Sequence, residues 1–109
     1  MSVNKYKVAV VGGAGHIGLP LSCFISSYGN DVLIIDTDTE KLNKLSNNVL
    51  PFKEDGLKEY LKIANKNNIK FSETIDEINN YELIIITLGT SSSKDDLNKF
   101  ETLMNQVLE

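Results

Sequence analysis

The stretch "VAVVGGAGHIGLPLS", residues 8–22, decides the fold, since it leads from an apolar run through four glycines into a second apolar run. Glycine costs backbone entropy on folding, so a cluster of glycines indicates a sharp turn or a close approach to the backbone. The first apolar run is rich in β-branched residues and lacks polar alternation, which is typical of a strand buried on both faces. The sequence therefore predicts a buried strand, a tight loop and a helix in succession.

Three more apolar runs predict further strands: "VLIID" at 32–36, "NIKFS" at 68–72 and "LIIIT" at 83–87. Helical spacing between and after these runs predicts amphipathic helices. The first of them takes its apolar side from Ile17, Leu21, Phe24, Ile25 and Tyr28, and the last runs from Leu97 to Val107. This alternation predicts an α/β fold: a Rossmann-like parallel sheet of about four strands, with helices on both faces and right-handed crossovers.

Length and composition limit the classes of function. The 109 residues suit one domain, residues 1–109, and the net charge of -4 argues against a nucleic-acid partner. No apolar run is long enough for a bilayer, so we expect no membrane partner. A single cysteine, Cys23, allows no internal disulfide and fits a reducing compartment, and we expect the protein to be cytoplasmic.

The glycine cluster fits the pattern G-x-G-x-x-G through Gly13, Gly15 and Gly18. That pattern is informative here because it ends a predicted strand and opens a predicted helix. In such loops the first glycine makes the turn, the second lets the backbone approach a pyrophosphate, and the third lets the helix pack close to the strand. The N–H groups at the helix start then attract the phosphates, so the sequence predicts a dinucleotide site.

An acidic residue at the end of the second strand is the further feature of such a site, and Asp36 lies there, eighteen residues after Gly18. Its carboxylate is expected to accept hydrogen bonds from the adenosine ribose hydroxyls. Asp36 and Asp38 would repel a 2′-phosphate, and the chain has no arginine to receive one. We therefore expect NAD as the cofactor, in preference to NADP.

Four segments together resemble the N-terminal NAD-binding domain of the UDP-glucose/GDP-mannose dehydrogenase family, the nucleotide-sugar 6-dehydrogenases. They are "GAGHIGLPLS", "VLIIDTDTEKLNKL", "LPFKEDGLKEYL" and "ELIIITLGTSSSKDDLN". Their order and spacing are similar to the family's over nearly the whole chain. The Pro-Phe-Lys-Glu segment discriminates most, because generic dinucleotide folds do not need it.

The resemblance implies that several residues contact NAD: His16, Ile17, Asp36, Lys41 and Thr90. Lys41 would turn back toward the same ribose as Asp36, and Thr90 would lie at the carboxyl end of the fourth strand. Two departures from the family pattern occur, since His16 replaces the common aromatic residue and Ser91 replaces the proline after Gly-Thr. The resemblance implies only packing and backbone contacts for His16, so no proton-transfer role is expected.

The resemblance also implies an activity, the oxidation of a sugar nucleotide at its 6-hydroxyl to a carboxylate in two NAD-dependent steps. The catalytic and substrate-binding groups of the family lie in later domains, so we expect no catalytic residue and no metal site in these 109 residues. The chain would then be part of a longer enzyme, inactive as this fragment, and the nucleotide sugar a partner of the full-length enzyme alone. Cys23 is expected to be a small core residue and not the family's nucleophile.

Three other interpretations stay open at this point. An extended short-chain dehydrogenase or epimerase often has a similar loop, read through Gly12, Gly15 and Gly18, but the Tyr-x-x-x-Lys pair of that family is missing. A nucleotide-sensing module of a potassium transport system shares the loop and the acidic residue. The chain could also be a remnant that folds but binds nothing.

The fourth strand has the apolar sequence of a central strand but is expected at a sheet edge. This predicts a homo-oligomer formed through that edge or the last helix.

Overall fold

A computed structural model describes residues 5–87 of the chain. The predicted final helix, from Leu97 to Val107, and Thr90 therefore lie outside the described residues. The observed elements follow the predicted order, and residues 74–80, whose sequence predicts a helical turn, contain a short 3-10 helix. The elements are β1 (Lys7–Val11), α1 (Gly18–Ser27), β2 (Asp31–Ile35), α2 (Thr39–Ser46), α3 (Leu57–Asn67), β3 (Ile69–Ser72), the 3-10 helix (Ile78–Asn80) and β4 (Leu83–Ile86).

The four strands form one parallel sheet in the order β3-β2-β1-β4. Val10 of β1 lies opposite Ile34 of β2 on one side and Ile85 of β4 on the other. The chain moves outward from β1 through β2 to β3, and then crosses back to β4 beside β1. The strand order therefore reverses between β1 and β4, and in open α/β sheets ligands bind at the carboxyl ends of the strands at such a point.

All three α-helices contribute to the core on one face of the sheet. Strand residues such as Val10 and Ile34 meet Leu19 of α1, Leu45 of α2 and Leu61 of α3 there, all fully buried. The helices share a face because both crossovers, β1 to β2 and β2 to β3, move in the same direction and are right-handed. No helix within residues 5–87 combines the length and apolarity needed to cross a bilayer.

The opposite face carries a smaller core. Ala9, Val11, Leu33 and Ile35 point there and are covered by Ile75 and by Ile78 of the 3-10 helix. This segment lies on the second face because the crossover from β3 to β4 runs in the reverse direction. Elements thus cover both faces, and the structure confirms the Rossmann-like parallel sheet of four strands.

Three of the five residues predicted for the apolar side of α1 are exposed, whereas Ile25 is partly buried and packs against the core. Phe24 and Tyr28 are 57% and 66% exposed, and Ile17 is exposed as well. The buried side is instead formed by small residues and one leucine, namely Gly18, Leu19, Ser22, Cys23 and Ser26. These residues let α1 lie close to the sheet and to α3, and the large side chains then point outward, where the Phe24 and Tyr28 rings pack edge to face.

Buried serines are tolerated on α1 because their hydroxyls are hydrogen-bonded. The Ser22 Oγ donates to the Gly18 carbonyl at 2.7 Å, and the Ser26 Oγ donates to Asn68 Oδ1 at 2.6 Å. Asn68 in turn donates to the Ser26 carbonyl at 2.9 Å, which joins the end of α1 to the start of β3. A buried polar group costs little when it has such partners, so the apolar pattern alone misidentifies this face.

Strand β4 is an edge strand among the described residues, as the sequence predicts for the chain. Its side chains are not buried as a central strand's would be, since Leu83 is 51% exposed and Ile84 and Ile86 are exposed too. The helical spacing of Leu57, Tyr60, Leu61 and Ala64 predicts one apolar side for α3; three of these residues are buried, but Tyr60 is exposed.

Candidate functional site

The loop after β1 turns back on itself at the carboxyl end of the sheet. Gly12 has a φ of +84°, a conformation that favours glycine, and its N–H donates to the Ile35 carbonyl at 2.8 Å. The Gly15 N–H closes the turn on the Gly12 carbonyl at 3.2 Å. The positive φ therefore falls on Gly12, one residue before the predicted Gly13, which lies inside the turn.

Packing against the protein accounts for two of the three predicted loop glycines. A Cβ on Gly13 would lie 2.7 Å from Ile34 Cγ2, and a Cβ on Gly18 would lie 2.4 Å from the Gly12 carbonyl oxygen. The latter clash is with backbone, which cannot move without moving the loop. Gly18 thus lets the start of α1 pack directly on the turn, as the motif predicts.

Gly15 differs from these two glycines. A Cβ there would meet the Gly12 carbonyl oxygen at 3.4 Å, an ordinary contact, and Gly15 does not have a positive φ. Within the described residues, neither backbone conformation nor packing requires glycine at this position. The G-x-G-x-x-G motif gives a different reason for glycine at this position: in such loops a ligand approaches the backbone at the second glycine.

The backbone N–H groups of the loop divide into two sets. Those of residues 12–15 all donate to groups within the protein. Those of His16, Ile17 and Gly18 have no acceptor within residues 5–87, and α1 has no side-chain cap at Ile17. Unpaired N–H groups and the positive end of the helix dipole coincide here, an arrangement that binds anions such as phosphate.

Asp36 lies beside the loop, directly after β2. Its Oδ2 accepts a hydrogen bond from the Ala14 N–H at 3.1 Å, and its Oδ1 accepts one from the Asp38 N–H at 3.0 Å. The sequence predicts a ligand for this carboxylate and gives no sign of its contact with the loop. A carboxylate has about four acceptor positions, so both oxygens keep capacity for hydroxyl donors.

Lys41 lies in the first turn of α2, close in sequence to Asp36. Asp38 caps that helix, since its Oδ1 accepts a hydrogen bond from the Lys41 N–H at 3.1 Å. The cap fixes the Lys41 backbone at the same end of the sheet as Asp36. Lys41 is partly buried.

Thr87 is a site residue that the sequence analysis misses. It follows β4, and its Oγ1 lies 3.0 Å from the Val11 carbonyl and 3.1 Å from the Gly12 carbonyl, to which it donates. It also occupies the space that side chains on Gly12 or Gly18 would need. Thr87 therefore holds the glycine turn to the β1–β4 crevice. No motif marks it, because a threonine at the end of a strand is common.

His16 and Ile17 lie on the outer side of the loop and are exposed. The His16 ring stacks on Phe52, with ring centroids 4.2 Å apart and planes 29° from parallel. Phe52 belongs to the Pro-Phe-Lys-Glu segment between α2 and α3. The structure thus brings together His16, the glycine turn and Asp36, and adds the unpredicted Phe52.

Cys23 lies on the inner side of α1, away from these residues, and is 2% exposed. Burial raises the pKa of its thiol to about 11, because the thiolate loses solvation. A thiol with so high a pKa is a poor nucleophile near neutral pH. The burial and the raised pKa support the interpretation of Cys23 as a core residue.

Several curated relatives of the chain are named as nucleotide-sugar dehydrogenases. The UDP-glucose 6-dehydrogenase of Rickettsia felis is 38% identical over 84 residues, which are 75% of this chain and 19% of that protein. A putative UDP-glucose 6-dehydrogenase of Bacillus subtilis is 36% identical over 90 residues, or 82% of this chain and 20% of the relative. The chain thus spans about a fifth of the length of these relatives.

Solved structures and a family pattern agree with the relatives. A UDP-N-acetyl-mannosamine dehydrogenase from Staphylococcus aureus matches with a TM-score of 0.77 at 29% identity, over 94% of this chain and 25% of that one. A UDP-glucose dehydrogenase from Pyrobaculum islandicum shares the fold, with a TM-score of 0.79 at 23% identity over 92% of this chain and 24% of that one. Residues 6–109 match the NAD-binding domain of the UDP-glucose/GDP-mannose dehydrogenase family. The chain belongs to that family and carries its NAD-binding domain.

Proposed function

We propose that the pyrophosphate of NAD binds at the outer side of the glycine loop, at Gly15 and the start of α1. Gly15 carries this proposal, because packing leaves room for a side chain there and the residue is nevertheless glycine. The N–H groups of His16, Ile17 and Gly18 are the donors for the phosphate oxygens. Gly13 and Gly18 contribute by shaping the turn.

The adenosine ribose is assigned to Asp36. Its carboxylate already holds the loop through Ala14, and its remaining acceptor positions suit two neighbouring hydroxyls. A 2′-phosphate at that place would meet the charges of Asp36 and of Asp38, which accounts for a preference for NAD over NADP. Lys41 is proposed to contact the same ribose, and Thr90 to contact the cofactor beyond β4.

The activity that fits this site is the oxidation of a nucleotide sugar. NAD accepts hydride from a carbon–oxygen centre in such reactions, and the protein supplies binding and orientation. We assign cofactor binding to residues 1–109, and we assign substrate binding and catalysis to other parts of a longer protein, as in relatives about four times this length. Named relatives that act on UDP-glucose support a UDP-sugar as the substrate class.

We further propose that the protein works in the cytoplasm as a homo-oligomer. The exposed apolar side chains of β4, an edge strand among the described residues, favour pairing with another chain. Light scattering at high micromolar concentration tests the homo-oligomer, and a monomer under those conditions would contradict it.

Calorimetric titration of the purified chain with NAD, and in parallel with NADP, tests the cofactor site. We expect saturable NAD binding and NADP binding at least about tenfold weaker, which corresponds to about 1.4 kcal/mol. Asp36→Ala should weaken NAD binding by about tenfold or more, because it removes the ribose acceptor and releases Ala14.

Asp31→Ala is the matched control, since Asp31 begins the strand that Asp36 follows. It should leave NAD affinity unchanged, because it lies at the amino end of the sheet. If Asp36→Ala binds NAD as well as the parent, the ribose assignment is wrong. A folded chain that does not bind millimolar NAD would contradict the proposed site as a whole. That result would favour the interpretation of the chain as a remnant that folds but binds nothing.

A further inference from the structure

The segment between α2 and α3, residues 47–56, is held to both helices at its start. Asn65 donates to the Leu45 carbonyl at 2.8 Å and to Asn48 Oδ1 at 2.7 Å, and the Val49 N–H donates to the Lys44 carbonyl at 2.8 Å. At the far end the Leu57 N–H donates to the Glu54 carbonyl at 3.3 Å. The segment is therefore a support that is held at its start by hydrogen bonds and in its middle by the packing of Leu50 and Phe52 against the core.

Phe52 connects this support to the glycine loop. Its side chain is partly buried and packs against the core on the helix-bearing face. Its ring also stacks on His16, a residue that is exposed and whose backbone N–H lacks an acceptor within the described chain. This stack joins the outer side of the loop to segment 47–56.

We propose that Phe52 is a positioning residue for the cofactor loop, acting through its stack on His16. The inference rests on the proposed site, because it concerns the loop that holds the pyrophosphate. The inner side of the loop is fixed by Gly13, Gly18 and Thr87. Residues 15–17 are hydrogen-bonded through their backbone to the turn and to the first residues of α1, and the His16 side chain adds the stack on Phe52. The stacked rings hold this outer part so that its N–H groups are oriented before the cofactor arrives.

The size of the effect follows from the stack. An aromatic pair contributes about 0.5–1.5 kcal/mol beyond its buried area, which corresponds to a change in Kd of about two- to tenfold. The proposal also gives a reason for the presence of a Pro-Phe-Lys-Glu segment and a glycine loop in one sequence: the first supports the second.

The test compares Phe52→Leu with Phe52→Tyr. Leucine keeps an apolar side chain on the core but removes the flat ring, and tyrosine keeps both. We expect Phe52→Leu to raise the Kd for NAD by about two- to tenfold, and Phe52→Tyr to keep the Kd of the parent. In a His16→Ala background, Phe52→Leu should have no further effect, because the partner ring is already absent.

A second measurement does not depend on NAD. Amide hydrogen exchange in the ligand-free Phe52→Leu chain should be faster at Ala14 and Gly15, with the Val10 amide of β1 unchanged, since the loop alone is loosened. Tyr28→Leu, at the other end of α1, is the control and should change neither exchange at the loop nor NAD affinity.

Two results would overturn the proposal. One is exchange at Ala14 and Gly15 that equals the parent's in Phe52→Leu. The other is a loss of NAD affinity from Phe52→Leu that is equally large with and without the His16 ring, since Phe52 would then act by another route. If the parent fails to bind NAD, the proposed site is at fault, and the exchange measurement still decides the role of Phe52 in the loop.

Discussion

The unit of β1, the glycine loop and α1 has an inner side toward the sheet and an outer side toward solvent, and the two differ in composition. The inner side is made of small or apolar groups in close contact, such as Gly13 against Ile34 and Gly18 against the Gly12 carbonyl. The outer side has Gly15 with room around it, three N–H groups without acceptors in the described chain, and exposed large side chains.

This difference separates what folding requires from what binding requires. Every feature of the inner side follows from packing or from a hydrogen bond within the protein. On the outer side, the glycine at 15 and the uncapped helix start are not required by the fold and cost stability relative to alternatives. Features of that kind are expected where a ligand binds.

The largest expected effect on stability comes from a side chain on the inner side. Gly18→Ala places a methyl group 2.4 Å from the Gly12 carbonyl oxygen and 2.7 Å from Gly13 Cα, so the turn or α1 must shift. We expect a loss of about 2–3 kcal/mol in the free energy of unfolding, after a small gain from the helix preference of alanine. Urea unfolding measures this loss. An unchanged midpoint would contradict the proposed difference between the inner and the outer side of the loop.

A smaller, pH-dependent effect is expected from Cys23 on the same inner side. The folded state keeps its proton up to a pKa of about 11, whereas the unfolded chain releases it near 9.0, so stability falls as the pH rises above about 9. By pH 10 this loss amounts to about 1.4 kcal/mol. Between pH 8 and pH 10 the free energy of unfolding of the parent should fall by this amount relative to that of Cys23→Ala. If the two free energies change with pH in parallel, the thiol is solvated in the folded state.

The strands could be predicted because a short, uninterrupted apolar run bounded by polar residues or glycine is typical of a buried strand. The loop and Asp36 could be predicted because a spacing rule connects them. The buried side of α1 could not, since hydropathy ranks Phe24 above Ser22, whereas the close approach to the sheet admits only the smaller side chain. The distance between α1 and the sheet decides which side chains are buried. The helical period of the sequence contains no information about that distance.

Two contacts of the site also lay beyond the sequence. Thr87 and Phe52 are far from the glycine loop along the chain, and each touches it through a single side chain. A spacing motif cannot indicate such contacts, because they depend on the register of β4 and on the path of segment 47–56. Residues after Thr87, Thr90 among them, lie outside the described part of the chain, and the role of Thr90 stays a prediction.

The most direct test of the contrast uses two glycines, Gly15 and Gly29, whose surroundings leave room for a side chain. Gly29 has a φ of +90° and nothing within 4 Å of an added Cβ, whereas Gly15 lacks the positive φ. Gly29→Ala should lower stability by about 1 kcal/mol and leave NAD affinity unchanged. Gly15→Ala should change stability by less than about 0.5 kcal/mol.

The decisive measurement is the Kd for NAD of Gly15→Ala beside its urea unfolding curve. We expect an affinity at least about tenfold weaker with stability unchanged, because the added methyl group occupies the space through which the pyrophosphate approaches the backbone. An affinity equal to the parent's would contradict it, since the outer side of the loop would then not be the cofactor site.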